Sequence, residues 1–170
     1  MQFSREQRRM AIRALGEAEE HTSRYYCIPP HRWQQLRYDL LTRQDTEWEP
    51  LPEVVLARVQ CIEKVCPRQN QPFDFYRIQL NDPSILSAAE RENLGKKLYH
   101  FLVYILTHEM VHLVRLNTII GHEKDTAPCL DSEETRVQKV SRQILSHKGF
   151  EVFRPILDRF CLPPPLVNQA

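Results

Sequence analysis

The sequence predicts an α+β fold that is mostly helical and contains one short sheet. Three observations predict it. Hydrophobic stripes of helical period recur along most of the chain, one aromatic and β-branched run at residues 73–80 has the pattern of a strand, and prolines separate many of these segments. Hydrophobic residues make up 42% of the 170 residues, which is enough to bury a core, so a wholly disordered protein is excluded.

The first 66 residues are predicted to form an N-terminal helical segment. Apolar residues among many charges predict a helix over residues 4–20, and Pro29-Pro30 stops any helix after it. A second apolar set recurs at helical spacing: Trp33, Leu36, Leu40 and Leu41. A third set follows the prolines at 50 and 52 and predicts a helix that ends before Pro67: Leu51, Val55, Val59, Ile62 and Cys66.

Residues 67–150 are predicted to form the second part of the fold, and residues 151–170 a proline-stiffened C-terminal tail. Four elements are expected in the second part: a strand at Phe73–Leu80, a helix over about residues 88–116 capped by Ser87 with Glu90, a helix from Asp131 or Ser132, and a short strand at Phe150–Phe153. We expect the segments to pack as one compact unit.

Charge and hydrophobicity indicate a cytoplasmic protein. The formal net charge is +1, so the chain lacks the excess of positive charge that favours binding to nucleic acid or to an anionic membrane. The longest apolar run, at residues 101–106, is too short to span a bilayer, and the N-terminus has no apolar stretch typical of a secretory signal. The 5 cysteines are scattered, which favours reduced thiols over a disulfide framework. We therefore expect neither a nucleic-acid partner nor a membrane partner.

The segment that indicates chemistry is His108-Glu109-Met110-Val111-His112, a His-Glu-x-x-His pattern inside the long predicted helix. Residues at i and i+4 share a helix face, so both imidazoles can reach one metal ion. Zinc accepts histidine nitrogens at about 2.0–2.1 Å together with a third protein ligand, and it keeps a position for a water whose pKa falls to about 7. Glu109 lies near the open side, where it can act as the general base.

Three residues could supply the third ligand. Glu133 and Glu134 begin the helix that follows 21 to 22 residues after His112, and the apolar stripe of that helix directs Glu134 toward the metal slightly better than Glu133. His122, in the intervening loop, is the other candidate. Without the upstream motif, the two acids would be ordinary residues at a helix N-terminus, where the helix dipole favours negative charge.

These residues resemble the zincin metallopeptidases, and most closely the gluzincin branch, whose His-Glu-x-x-His pattern is followed by a glutamate on a later helix. The resemblance covers residues 72–147. It implies a small zincin-like domain with a short sheet beside the motif helix, one Zn²⁺ held by His108, His112 and Glu134, and Glu109 as general base. It also implies that the strand Phe73–Leu80 is the sheet edge along which a peptide or protein substrate lies. The expected activity is peptide hydrolysis.

Other interpretations remain open at this point. The chain could be a zincin-fold regulatory or interaction module that binds metal without cleaving peptides, or its motif could be accidental. The Gly121–Asp125 segment also resembles the SprT-like proteases, which act on DNA-bound proteins. Two further sets of roles are predicted: an ion pair between Arg115 and Glu133, and donors to a developing oxyanion from among Tyr76, Tyr99, Tyr104 and His122.

Overall fold

The computed structural model describes residues 1–117, 132–147 and 150–161, and these form an α+β arrangement of six α-helices and a three-stranded sheet. The elements are α1 (Arg5–Tyr25), α2 (Pro30–Trp33), β1 (Tyr38–Leu41), β2 (Ala57–Val65), β3 (Pro72–Leu80), α3 (Asp82–Arg91), α4 (Leu98–Leu116), α5 (Glu133–Ser146) and α6 (Phe150–Phe160), with a 3₁₀ turn at Gly95–Lys97 before α4. This confirms an α+β fold, and also the predicted helix near residues 4–20 and the predicted strand at 73–80.

Helix α1 begins at a capping box and packs its alanine face against α4. The Ser4 side chain accepts a hydrogen bond from the Gln7 backbone N–H, while the Gln7 side chain accepts one from the Ser4 N–H. Ala11, Ala14 and Ala18 are fully buried, and their small side chains let the two helices approach closely. The N-terminal helix is therefore part of the main core.

The sheet has the order β1-β3-β2, with β1 parallel and β2 antiparallel to β3. The helix predicted over residues 51–66 is wrong, because Ala57–Val65 forms a strand. Its apolar residues match a helical stripe by spacing alone, and hydrogen bonding to β3 decides the conformation. The expected boundary at residue 66 lies in the turn between β2 and β3, where Asn70 has a φ of 49°.

The strand that was expected to be the sheet edge is the central one. β3 has β1 on one side and β2 on the other, so among the described residues the antiparallel edge is β2. The Cys66 N–H donates to the Gln71 carbonyl at 3.0 Å, and the Asn81 N–H donates to the Leu56 carbonyl at 2.9 Å. Since bonded pairs alternate along an antiparallel ladder, the N–H and C=O groups of Val59 and the other odd-numbered residues of β2 point away from β3.

Three other predicted elements differ from the structure. The helical spacing at 33–41 is wrong, because α2 ends at Trp33 and β1 then pairs with β3. The single helix at 88–116 is interrupted, since α3 ends at Arg91 and Asn93 adopts a φ of 55°. The capping box at Ser87 is also wrong, because this residue lies inside α3, whose N-cap is Asn81.

The predicted strand at Phe150–Phe153 is wrong as well, because these residues begin α6. Four residues, of which three are aromatic or apolar, cannot distinguish a strand from a helix. The residues that follow resolve the choice, because Phe153, Ile156 and Leu157 are buried at helical spacing and Phe160 packs against the same core. Helix α6 is tied to α5 at its end, where the Cys161 thiol donates to the Gln138 carbonyl at 3.0 Å.

Helix α4 is the centre of the molecule. It contacts α1, α5, α6 and β2, and most of its residues from Leu98 to Val114 are buried. None of the helices in the described ranges has the length and hydrophobicity that a membrane span requires. The cysteines in those ranges (Cys27, Cys61, Cys66 and Cys161) are all free thiols.

A buried carboxylate joins the chain start to this core. Asp82, in the first turn of α3, is fully buried and accepts hydrogen bonds from the Phe3 N–H at 2.9 Å and the Arg43 N–H at 3.2 Å. Burial raises the pKa of the Asp82 carboxyl, although the two backbone donors act to lower it. The start of α3 therefore holds both the N-terminus and the segment after β1.

Candidate metal centre

Helix α4 places both motif histidines on one face. His108 and His112 are four residues apart, and their ring centroids lie 4.9 Å apart at an interplanar angle of 71°. Both rings are only partly buried, with side-chain exposures of 13% and 21%, so one side of each ring remains open. A helix that is otherwise buried thus presents two imidazole nitrogens at the surface of the core.

Helix α5 brings Glu134 to these rings. The two carboxylate oxygens divide between the histidines: Oε1 lies 3.0 Å from His108 Nε2, and Oε2 lies 3.2 Å from His112 Nε2. One ligand atom from each of the three residues lies within 4.8 Å of the others, so the group could hold a metal ion. Ser132 caps the start of α5 by accepting the Thr135 N–H, and buried Val137 anchors its first turns.

The neighbouring acid, Glu133, points to a different partner. Its two oxygens accept from Arg115 Nε at 2.6 Å and from an Arg115 terminal nitrogen at 2.9 Å, a bidentate pair that confirms the predicted ion pair. The Arg115 guanidinium also lowers the pKa of Glu133. Of the two acids considered for the third ligand, the geometry favours Glu134. His122, the remaining candidate, lies outside the described residues.

Glu134 and the histidines interact strongly. Hydrogen bonds to His108 and His112 hold the pKa of Glu134 far below its usual range, and they outweigh the opposing effect of burial. Burial acts to lower the pKa of His112, but Glu134 and the nearby negative charges outweigh it and raise that pKa. The Glu134 carboxylate therefore lies where one cation could contact it and both histidine rings.

Glu109 lies on the other side of the histidines, in a much drier environment. Its residue exposure is 6%, and burial raises the pKa of its carboxyl, while the positive charge that His108 and His112 can carry acts to lower it. The backbone N–H of Val59 faces this carboxylate and also acts to lower its pKa. The side chain of Glu109, which belongs to α4, therefore lies between this helix and the outward-facing backbone of β2.

The end of α6 forms a wall beside His108. The Tyr104 ring, one helical turn before His108, lies 6.3 Å from it and also 6.3 Å from the Phe160 ring, measured between centroids. Of the other tyrosines predicted as donors, Tyr99 gives its hydroxyl to Glu17 on α1, and Tyr76 lies in the central strand. Only Tyr104 of these three contacts a motif histidine among the described residues.

Sequence reasoning missed two parts of this site, the edge strand β2 and the α6 wall. A signal for β2 was present in the alternation of apolar and polar residues at 57–61, and a signal for α6 in the spacing of Phe153, Ile156, Leu157 and Phe160. Comparison of the chain with family models, with curated proteins and with solved structures found no match. The geometry is therefore the basis for any functional assignment.

Proposed function

We propose that this protein is a zinc-dependent metallopeptidase of the zincin type. The observation that carries the proposal is the convergence of His108, His112 and Glu134 from two helices, with the buried carboxylate of Glu109 beside them and, next to it, a strand that is the sheet edge among the described residues. These are the parts that metal-assisted hydrolysis of an extended peptide requires.

The three side chains fit zinc. In a tetrahedral site with bonds of about 2.0–2.2 Å, neighbouring ligand atoms are about 3.3–3.6 Å apart. His108 Nε2 and His112 Nε2 lie 3.0 and 3.2 Å from the two different oxygens of Glu134, and one ligand atom from each residue lies within 4.8 Å of the others, so small side-chain movements would bring three ligand atoms to these separations. A bound zinc ion would supply Lewis-acid chemistry, lowering the pKa of a coordinated water and polarising a carbonyl.

Glu109 would act first as the general base and then as the general acid. As a carboxylate it accepts a proton from the attacking water, whose oxygen adds to the peptide carbonyl carbon. It then gives that proton to the departing nitrogen as the C–N bond breaks. A general base works best when its pKa is close to the working pH, and burial raises the pKa of Glu109 in that direction.

The edge of β2 would orient the substrate. The outward-facing backbone groups of Ala57 and Cys61 and the carbonyl of Val59 can form hydrogen bonds with an added strand, while the Val59 N–H is directed at Glu109. A peptide paired with this edge would pass the histidines with its backbone extended. The sequence predicted that the substrate would lie along β3. Because β3 is the central strand, we assign this role to β2.

The test combines metal analysis with hydrolysis of an unfolded protein and of a mixed peptide library. Wild-type protein, purified without chelator or nickel resin, is compared with His108→Ala and Glu109→Gln. We expect about one zinc per chain in the wild type and in Glu109→Gln, and none in His108→Ala. Hydrolysis should fall by about 10²–10⁴-fold in Glu109→Gln, the usual contribution of a general base.

Three results would contradict the proposal in different ways. One zinc per chain without hydrolysis of any substrate would indicate a metal-binding interaction module. No zinc, even after zinc is supplied, would make the His-Glu-x-x-His pattern accidental and leave the Glu134 contacts with His108 and His112 as structural ion pairs. Full activity in Glu109→Gln would remove that residue from the mechanism.

A further inference from the structure

We propose that a cavity between α3 and the end of α6 binds a carboxylate of the peptide substrate through Arg91 and Arg159. This inference rests on the proposed peptidase function for its substrate, but the binding experiment below tests it separately. The cavity lies where α3, the end of α6 and the segment before β2 meet.

The cavity has a volume of about 640 Å³, large enough for one or two side chains. Leu56, Ala88 and Phe160 provide apolar wall, while Ser84 and Ser87 add hydroxyl groups. Such a mixture suits a side chain that has methylene groups and a polar end. It does not by itself select a charge, which depends on the two arginines.

Arg91 and Arg159 are held together by one acid. Each donates through Nε to the same oxygen of Glu92, at 3.1 Å for Arg91 and 2.9 Å for Arg159. No contact among the described residues uses the terminal nitrogens of either guanidinium. Each arginine therefore retains its planar pair of terminal donors, the geometry that recognises a carboxylate.

The cavity connects to the proposed site in two ways. Phe160 lines it and also packs 6.3 Å from Tyr104, which in turn lies 6.3 Å from His108. Leu56 also lines it and lies three residues before Val59, the residue beside Glu109. Three residues of extended chain span about 10 Å, so a peptide paired with β2 would place a residue about three positions from the scissile bond at the cavity.

Glu53 is the opposing charge in this arrangement. It lines the same cavity, and among the described residues it forms no ion pair with Arg91 or Arg159. Its carboxylate would repel an acidic ligand, so its removal should strengthen binding while removal of the arginines weakens it. If the removal of the Glu53 charge and the removal of the arginine charges change the binding affinity in opposite directions, the charge of the ligand lies in this cavity.

The probe is a set of nine-residue alanine-leucine peptides with blocked ends, each with one Glu, or one Gln, at a single position. A second set has no Glu and a free C-terminal carboxylate, which distinguishes a side chain from a chain end as the source of the charge. Binding is measured by fluorescence anisotropy on zinc-loaded Glu109→Gln protein, which does not consume the peptide. Cleavage of the same peptides is measured on the wild type.

We expect one Glu position to bind about tenfold more tightly than its Gln counterpart, since two partly exposed charge-assisted contacts are lost with the charge. The preference should disappear in Arg91→Gln/Arg159→Gln and increase in Glu53→Gln. It should persist in Arg154→Gln, a matched control on α6 whose side chain is 59% exposed, as is that of Arg159. Both cavity arginines are exposed, and thermal unfolding confirms that each variant folds.

Equal binding of Glu and Gln peptides at every position of the first set, together with no tighter binding of the second set through its free C-terminal carboxylate, would overturn the inference. So would a Glu preference that survives the double arginine variant. The assay with the unfolded protein and the mixed peptide library decides the peptidase proposal, and the anisotropy comparison separately decides whether this cavity binds a carboxylate.

Discussion

Replacing Glu134 by glutamine separates the proposed metal-binding role of this carboxylate from its role in the metal-free protein. The Glu134 side chain is 57% exposed, and an ion pair with that exposure contributes at most about 1 kcal/mol. Glutamine keeps the size of the side chain and one oxygen that His108 or His112 can contact. Without zinc, the substitution should therefore lower the free energy of unfolding by no more than about 1 kcal/mol.

With zinc the effect should be larger. A metal at 100 times its dissociation constant adds about 2.7 kcal/mol to the free energy of unfolding. Loss of a residue that only orients a ligand weakens metal affinity by about 10–100-fold, so loss of the Glu134 ligand should weaken it by at least about 100-fold. At the same zinc concentration the variant would gain only about 0.4 kcal/mol. The zinc-dependent shift in Tm should then be about 5–9 °C smaller than in the wild type.

The assay is thermal and urea unfolding followed by far-UV circular dichroism, with zinc and with chelator. Glu133→Gln is the matched control, because it removes the adjacent charge and breaks the pair with Arg115 without touching the histidines. We expect the control to keep a zinc-dependent shift close to that of the wild type. A full zinc shift in Glu134→Gln, or its loss only in Glu133→Gln, would refute the assignment of the third ligand.

Two further predictions concern the fold that carries the site. Leu113→Ala, at a fully buried position of α4, should lower the free energy of unfolding by about 2–5 kcal/mol. Leu116→Ala, at a position that is 51% exposed, should change it by less than about 0.5 kcal/mol. Equal losses for the two variants in urea titrations would contradict this packing. Burial raises the pKa of Asp82 in the folded protein above its unfolded value of about 3.9. The protonated Asp82 therefore makes its full contribution to the free energy of unfolding below about pH 3.9, and this contribution is lost as the pH rises through the folded pKa. The loss caused by Asp82→Asn should therefore be largest near pH 4 and smaller at pH 7, and a loss that grows with pH in urea titrations would count against it.

The parts of the fold that sequence predicted are those specified by local signals. The start of α5 follows from the Ser132 cap, and the face shared by His108 and His112 follows from helical geometry alone. The apolar stripe that packs α5 against α4 likewise predicted that Glu134 lies near the histidines. A ligand set carried on two strongly periodic helices is readable from spacing because each helix has only one apolar face to bury.

The parts that sequence missed depend on long-range pairing. Val59 belongs to an apolar set at helical spacing, but the segment pairs with β3, with Val59 opposite Ile78, and forms a strand. The central position of β3 could not be predicted either, because it requires knowing that Tyr38 lies opposite Tyr76. Which strand forms the edge, and hence which backbone faces Glu109, is a property of the assembled sheet.

The mixed sheet also sets an order of assembly. The β2–β3 hairpin closes between Val65 and Pro72, whereas the parallel β1–β3 pair joins Tyr38 to Tyr76 across a much longer stretch of chain. Closing the longer loop costs about 1.5 kcal/mol more in chain entropy, so we expect the hairpin to form first and β1 to join it later. The edge beside Glu109 would then exist before Glu134 arrives on α5. Zinc uptake during refolding would consequently be a late event that reports completion of the native structure.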